Sequence, residues 1–184
     1  MAISFISTAT RPSASIAWYT NSGLPVVTAM LNSWHSALPD TPYENVISDD
    51  GLTNTNTVTF KNLEDFNVFY NYIMDLNLAV EFINYCGANP GFTNSRTVSG
   101  FGNITIAATY NFPNSTESAS YSIDRLRAND VAHLTDLQVL SDKVIVTHTY
   151  ADAADFSSAH FNDVVFAQNL VDYGVTKTIS ITAN

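Results

Sequence analysis

A short pattern occurs twice in this chain, half a chain apart. Thr57-Val58-Thr59-Phe60 is followed after four residues by Asp65-Phe66, and Thr147-His148-Thr149-Tyr150 is followed after four by Asp155-Phe156, an offset of 90 positions in 184. Each Thr-x-Thr-aromatic stretch alternates with the period of two that a half-buried strand requires. In each copy a polar connection then leads to an Asp able to cap a helix. Upstream, Ser48-Asp49-Asp50-Gly51 and Ser141-Asp142 separate this strand from a preceding extended segment, as a hairpin turn does. Turn, strand, cap and helix recurring in one order predict a chain of two related halves, residues 1–95 and 96–184.

The rest of the chain fits one plan twice. In the first half, Ser15 to Tyr19 reads as a strand, and Pro25 opens a helix whose Val27, Met30, Leu31, Trp34 and Leu38 share a face until Pro39 stops it. A hairpin spans about Val46 to Phe60. Phe66, Phe69, Ile73, Leu76, Val80 and Ile83 then form a helical stripe that Gly87 and Pro90 end, and Arg96 to Tyr110 is extended chain leading into the second half. There, Ile104 to Tyr110 is a strand, Asn111 to Ser122 is loop-like, and Ile123 to Val131 holds a short helix. Gln138 to Tyr150 is the second hairpin, Asp155 to Tyr173 the second long helix, and Thr176 to Thr182 the closing strand. Strand, helix, strand, strand, helix, strand is the ferredoxin-like order, so the fold class is α+β with two tandem ferredoxin-like halves. Two such sheets can pack face to face within one chain, as dimeric α/β barrels do between chains.

Composition removes several functions. A hydrophobic share of 46% supplies a core. A net charge of −10, from 7 basic and 17 acidic residues, argues against nucleic-acid binding and against an anionic membrane surface. Met1 to Ile6 lacks the basic residue and long apolar core of a secretory signal. The single cysteine, Cys86, excludes an intrachain disulfide and a CxxC metal or redox motif. With 13% charged residues, Asn, Ser and Thr must cover much of the surface.

Candidate chemistry is sparse, and no cofactor is implied. His148 stands where the other copy has Val58, and a core histidine hydrogen-bonded to a neighbour is the plain reading. His160 and Asp163 lie one helical turn apart but lack the further ligands of a zinc site. His35 sits near a helix end, where the helix dipole explains it, and His133 carries no signal. Asp49-Asp50-Gly51 lacks the alternating ligands of a calcium loop and reads as a turn. Ser99-Gly100-Phe101-Gly102 lacks the third glycine and following helix of a dinucleotide site. No serine lies in a nucleophile elbow, and Glu64 with Asp65, or Asp152 with Asp155, fall where capping explains them. Aromatic residues are the remaining candidates. Tyr70 and Tyr72 cannot both point inward on one helical face with Phe66, Phe69 and Ile73, so one of them faces a partner or the second half. Trp18, Trp34, Tyr70, Tyr72 and His148 are therefore the candidate pocket or interface residues.

Thr10-Arg11-Pro12-Ser13 near the start, Asp50-Gly51-Leu52-Thr53 before a Thr-rich strand, and few lysines give the chain a texture that resembles small structural proteins of marine tailed phages. The resemblance implies a non-enzymatic virion component at head, neck or tail. Its localisation is then the virion, assembled in the host cytoplasm, and its partners are other virion proteins or copies of itself, with no nucleic acid and no membrane. The alternative is a small-molecule enzyme or binding protein of the dimeric α/β-barrel kind, with a pocket near Trp18, Trp34 and His148.

Overall fold

The apolar residues of the first half alternate along four strands. In the computed structural model, which describes residues 2–13, 21, 24–88, 91–159 and 167–184, these are β1 (Ile3–Thr10), β2 (Tyr43–Ile47), β3 (Thr53–Phe60) and β4 (Thr93–Ser99). They pair antiparallel in the order β2-β3-β1-β4. Ile3 lies opposite Phe60, and Phe5 lies opposite both Val58 and Val98, so one face carries a block of buried side chains. The threonines at 55, 57 and 59 alternate with them on the other, half-exposed face. The β2–β3 turn forms where the sequence placed it: Asp50 Oδ1 accepts from Ser48 Oγ at 2.7 Å and from the Leu52 amide at 2.9 Å.

The second half repeats this arrangement. Strands β5 (Ile104–Asn111), β6 (Leu134–Val139), β7 (Lys143–Tyr150) and β8 (Thr176–Ala183) run in the order β6-β7-β5-β8. Ile104 pairs with Tyr150 as Ile3 pairs with Phe60. Both halves thus have the ferredoxin-like order, with helices on the apolar face of each sheet.

Several boundaries differ from the sequence expectation. The first strand of the sheet is Ile3–Thr10, and the predicted strand at 15–19 lies outside the described residues. Strand β4 runs across position 95 and belongs to the first sheet, so the changeover between halves falls after Ser99. Gly100 makes that turn at φ 98°, and a Cβ there would lie 2.1 Å from the Ala2 carbonyl oxygen, a position only glycine fits.

Six helices connect the strands: α1 (Leu24–Ala37), α2 (Leu63–Ile73), α3 (Leu76–Ala88), α4 (Ser120–Ala128), α5 (Ala153–Ala159) and α6 (Ala167–Asp172), among the described residues. The stripe from Phe66 to Ile83 is two helices, because Asp75 accepts from the amides of Asn77 and Leu78 and starts a new one. Asp155 to Tyr173 is likewise observed as α5 and α6, with 160–166 outside the described residues. Part of the 111–122 segment is a short 3-10 helix, Thr116–Ala119, leading into α4. The caps also shift by three residues: Asn62 accepts from the Asp65 amide, and Asp152 from the amides of Ala154 and Asp155. These caps are themselves 90 positions apart, which extends the repeat.

The halves interlock through helices and edge strands. Helix α2 packs on β8, α5 packs on β4, and α3 packs on α6. Asn71 of α2 donates to the Ile179 carbonyl at 2.8 Å and accepts from its amide at 2.7 Å. Ser157 of α5 accepts from the Val98 amide at 2.8 Å. Phe156 meets Phe66 at 6.3 Å, Tyr70 at 5.6 Å and Phe101 at 5.8 Å, and the buried residues of both sheets form one core.

Candidate functional site

Two arrangements bring polar groups together, one in each half. The first is a groove of about 610 Å³ between α1, α2 and α3, lined by Ala29 and Ser33, by Asn71 and Tyr72, and by Asp75, Leu78 and Glu81. It exists because α1 is pinned to α2 while the chain breaks between α2 and α3. Trp34 is the pin: wholly buried, it stands edge-on to Phe69 at 5.1 Å and to Tyr43 at 5.8 Å. Asn71 is committed to β8, and one oxygen of Asp75 is committed to the α3 cap. Ser33, Tyr72 and Glu81 have no side-chain hydrogen-bond partner among the described residues and remain available to a ligand.

Lys177 lies at the same junction. On β8 it shares the inner face with Ile179 and Ile181, stands opposite Tyr110, and is half-buried. Burial brings its amine down to about 8, while the Asp75 carboxylate works in the opposite direction.

The second arrangement centres on His133. Its Nδ1 lies 2.6 Å from Asp130 Oδ1 and its Nε2 lies 2.9 Å from Asp155 Oδ1. Its ring stacks on Tyr150 at 4.7 Å, and Tyr150 donates to Asp130 Oδ2 at 2.6 Å. Asp130 adopts φ 48° in the turn before β6, a conformation Asp tolerates better than most residues. The hydrogen bond to Asp130 raises the His133 pKa, partial burial opposes that, and Asp155 adds to it. Burial of Asp130 favours its neutral form, but the bonds to Tyr150 and His133 outweigh it and hold the carboxyl low. The bond from the Ala151 amide, then the one with His133, lowers Asp155. With both ring nitrogens held by carboxylates, His133 is an ionic staple and has no free nitrogen to act as a base.

The sequence candidates fall apart in space. Trp18 lies outside the described residues, as do His160, Asp163 and the side chain of Cys86. Trp34 and Tyr72 belong to the groove region. Tyr70 is wholly buried and packs across the junction on Phe156, so of the two tyrosines it is Tyr70 that faces the second half. His148 is 5% exposed and donates from Nε2 to the Asn129 carbonyl at 3.3 Å, the core histidine of the plain reading, with no part in the groove. Sequence reasoning missed His133, which shares a turn with Asp130 but meets Asp155 of α5 only through the fold, and Lys177, which feels the Asp75 carboxylate across the junction of the two halves. Among the described residues no group of three or more His, Cys, Asp or Glu is placed to hold a metal ion, and no helix is long and apolar enough to cross a membrane.

No family model matches the chain, and no curated protein matches it. Solved structures similar to it include a "putative monooxygenase" from Lactobacillus acidophilus NCFM, 10% identical over 98% of this chain and 91% of the other, TM-score 0.35. Others are an unknown protein from Galdieria sulphuraria, 12% identical over all of both chains, TM-score 0.28, and a "putative glycine cleavage system transcriptional repressor", 8% identical over 100% and 99%, TM-score 0.27. The expectation of a tailed-phage structural protein rested on missing chemistry and on surface texture. It is corrected here, because folding assembles a groove with uncommitted polar groups from residues scattered in sequence.

Proposed function

We propose that this chain binds a small, uncharged or cationic organic molecule in the groove between α1, α2 and α3. The observation that carries the reading is the groove itself: its volume falls in the range of about 300–1,000 Å³ usual for ligand sites. Its lining combines an apolar floor from Ala29 and Leu78, the ring of Tyr72, and the uncommitted polar groups of Ser33, Tyr72 and Glu81. Asp75 and Glu81, in a chain of net charge −10, set the potential against anions. The ligand class is then an aromatic or aliphatic body bearing hydrogen-bond donors. This retains the small-molecule alternative of the sequence reading but moves its pocket from His148 to the first half.

Titration calorimetry with benzyl alcohol and with benzoate tests the reading. Benzyl alcohol binds and benzoate does not, and Tyr72→Ala weakens binding by roughly 2- to 10-fold, the loss of one aromatic contact of about 0.5–1.5 kcal/mol. Benzoate binding as tightly as the alcohol, or a Tyr72→Ala variant that binds normally, contradicts it.

A further inference from the structure

Each sheet ends on an outer strand, and the repeat makes the two edges directly comparable. Among the described residues β2 pairs only with β3, and β6 only with β7. In the first sheet the Ser48 amide donates to the Thr53 carbonyl at 2.9 Å, and the Thr59 amide donates to the Pro42 carbonyl at 3.1 Å. Antiparallel hydrogen bonding alternates along a strand, so the even-numbered residues of β2 bond to β3, while Asn45 and Ile47 turn their N–H and C=O groups to the open side. Val46 between them is 53% exposed, and Ile47 is 50% exposed. The other edge carries devices that discourage further pairing. A bulge falls between Leu134 and Asp136, and Gln138, which faces Ile145 as Val46 faces Thr55, is tied to the Asp136 carboxylate at 2.7 Å. β2 keeps an unbroken register with β3, and its one charged residue is Glu44.

We propose that β2 is a dimerisation edge whose partner is β2 of a second copy of this chain, paired antiparallel about a two-fold axis at Val46. In that register Asn45 faces the partner's Ile47, and Ile47 faces the partner's Asn45. Each of these pairs exchanges two backbone hydrogen bonds, which uses the outward groups of both residues. Val46 faces the partner's Val46 in the non-hydrogen-bonded position, where Cα atoms approach to about 4.5 Å and side chains meet most closely. Glu44 faces the partner's Ser48, so in a chain of net charge −10 no two carboxylates stand opposite each other across the strand pair. A patch complementary to itself in this way is what a two-fold interface requires. The product is one open sheet of eight strands, β4-β1-β3-β2 continued into its copy, within the size that twisted sheets reach. A single strand pair is a small interface, below about 1,200 Å² in total, so the dimer forms and dissociates with concentration. None of the residues that line the groove lies on this edge, so the dimer stands or falls apart from the ligand site.

Sedimentation of the whole chain from about 2 to 500 μM tests the pairing, a range that brackets the affinity of a small interface. The mass passes from monomer to dimer across that range. Val46→Lys sets two ammonium groups against each other at the axis and weakens the dimer at least about 10-fold, while its urea midpoint stays that of the parent because the side chain is exposed. Gln138→Lys, at the corresponding place on β6, leaves the dimer as it was. The register is read by cross-linking on a Cys86→Ser background under a mild oxidant. Val46→Cys closes a disulfide between copies, and Glu44→Cys does not, because its two copies stand about 14 Å apart along the strand pair, beyond the reach of about 7 Å that a disulfide allows. A chain that stays monomeric throughout overturns the proposal. So does a dimer that Val46→Lys leaves intact, one that Gln138→Lys dissociates, or one that cross-links as well through Glu44→Cys as through Val46→Cys.

Discussion

Trp34 is wholly buried, yet its indole N–H finds no acceptor among the described residues. Its value is therefore the packing of its rings on Phe69 and Tyr43, and the unsatisfied donor subtracts from it by about 1–3 kcal/mol. Trp34→Phe removes the donor with most of the ring retained and costs less than about 1 kcal/mol in urea denaturation, whereas Trp34→Ala costs about 3–5 kcal/mol. A Phe variant as unstable as the Ala variant shows that the indole nitrogen has a partner. His133 and His148 act in opposite directions. The pKa of His133 is raised above 6.5, so its contribution is complete below that pH and is lost as pH rises through the folded value. Asp130 and Asp155 are lowered from 3.8, so their share is present above that pH and is lost as pH falls through their folded values. His148 is lowered by burial, so the fold loses stability as pH drops below 6.5, where the unfolded chain takes the proton more readily. His133→Asn should abolish the decline in stability above neutral pH, and His148→Val should weaken the decline on the acid side; unchanged pH profiles of thermal unfolding contradict both assignments. None of this is visible in sequence. Asp130 and His133 share the turn before β6 while Asp155 lies in the first turn of α5, and no periodicity links them.

At the scale of elements, the repeat was legible because strand alternation is local: Val58 and Phe60, like His148 and Tyr150, are buried on alternate positions as the pattern requires. The first strand was hidden by its weak alternation, since the apolar Ile3 and Phe5 give way to Ser7, Thr8, Ala9 and Thr10. The long helix was misjudged because its apolar stripe continues across Asp75, whose capping role interrupts the helix without interrupting the pattern. Edge-strand protection was not legible at all. Ser157 and Asn71 stand at the inner edges of the sheets and satisfy peptide groups of Val98 and Ile179, leaving β2 and β6 as the outer edges. Ser157→Ala leaves the Val98 amide without its bond, at a local cost of about 1–2 kcal/mol. Hydrogen exchange at Val98 should then quicken by roughly 5- to 30-fold while Ile179 is unchanged. Equal rates before and after the substitution contradict this account of how α5 covers the edge.

Across the whole molecule, two halves share one core, and the functional surface is not shared equally between them. Phe156 reaches Phe66 and Tyr70 from the second half, while Asn71 reaches β8 from the first, so neither half completes its surface alone. The repeat made two halves legible, but the groove depends on a helix break and on the docking of α1, which are tertiary events. Charge and Tyr72 were its only traces in the sequence. The central claim is that the ligand site lies in that groove and not around His133. Amide chemical-shift mapping with benzyl alcohol tests this most directly. The account predicts shifts clustered at Ser33, Asn71, Tyr72, Asp75, Leu78 and Glu81 with the His133 amide unmoved; shifts centred on His133, His148 and Tyr150, or none at saturating ligand, contradict it.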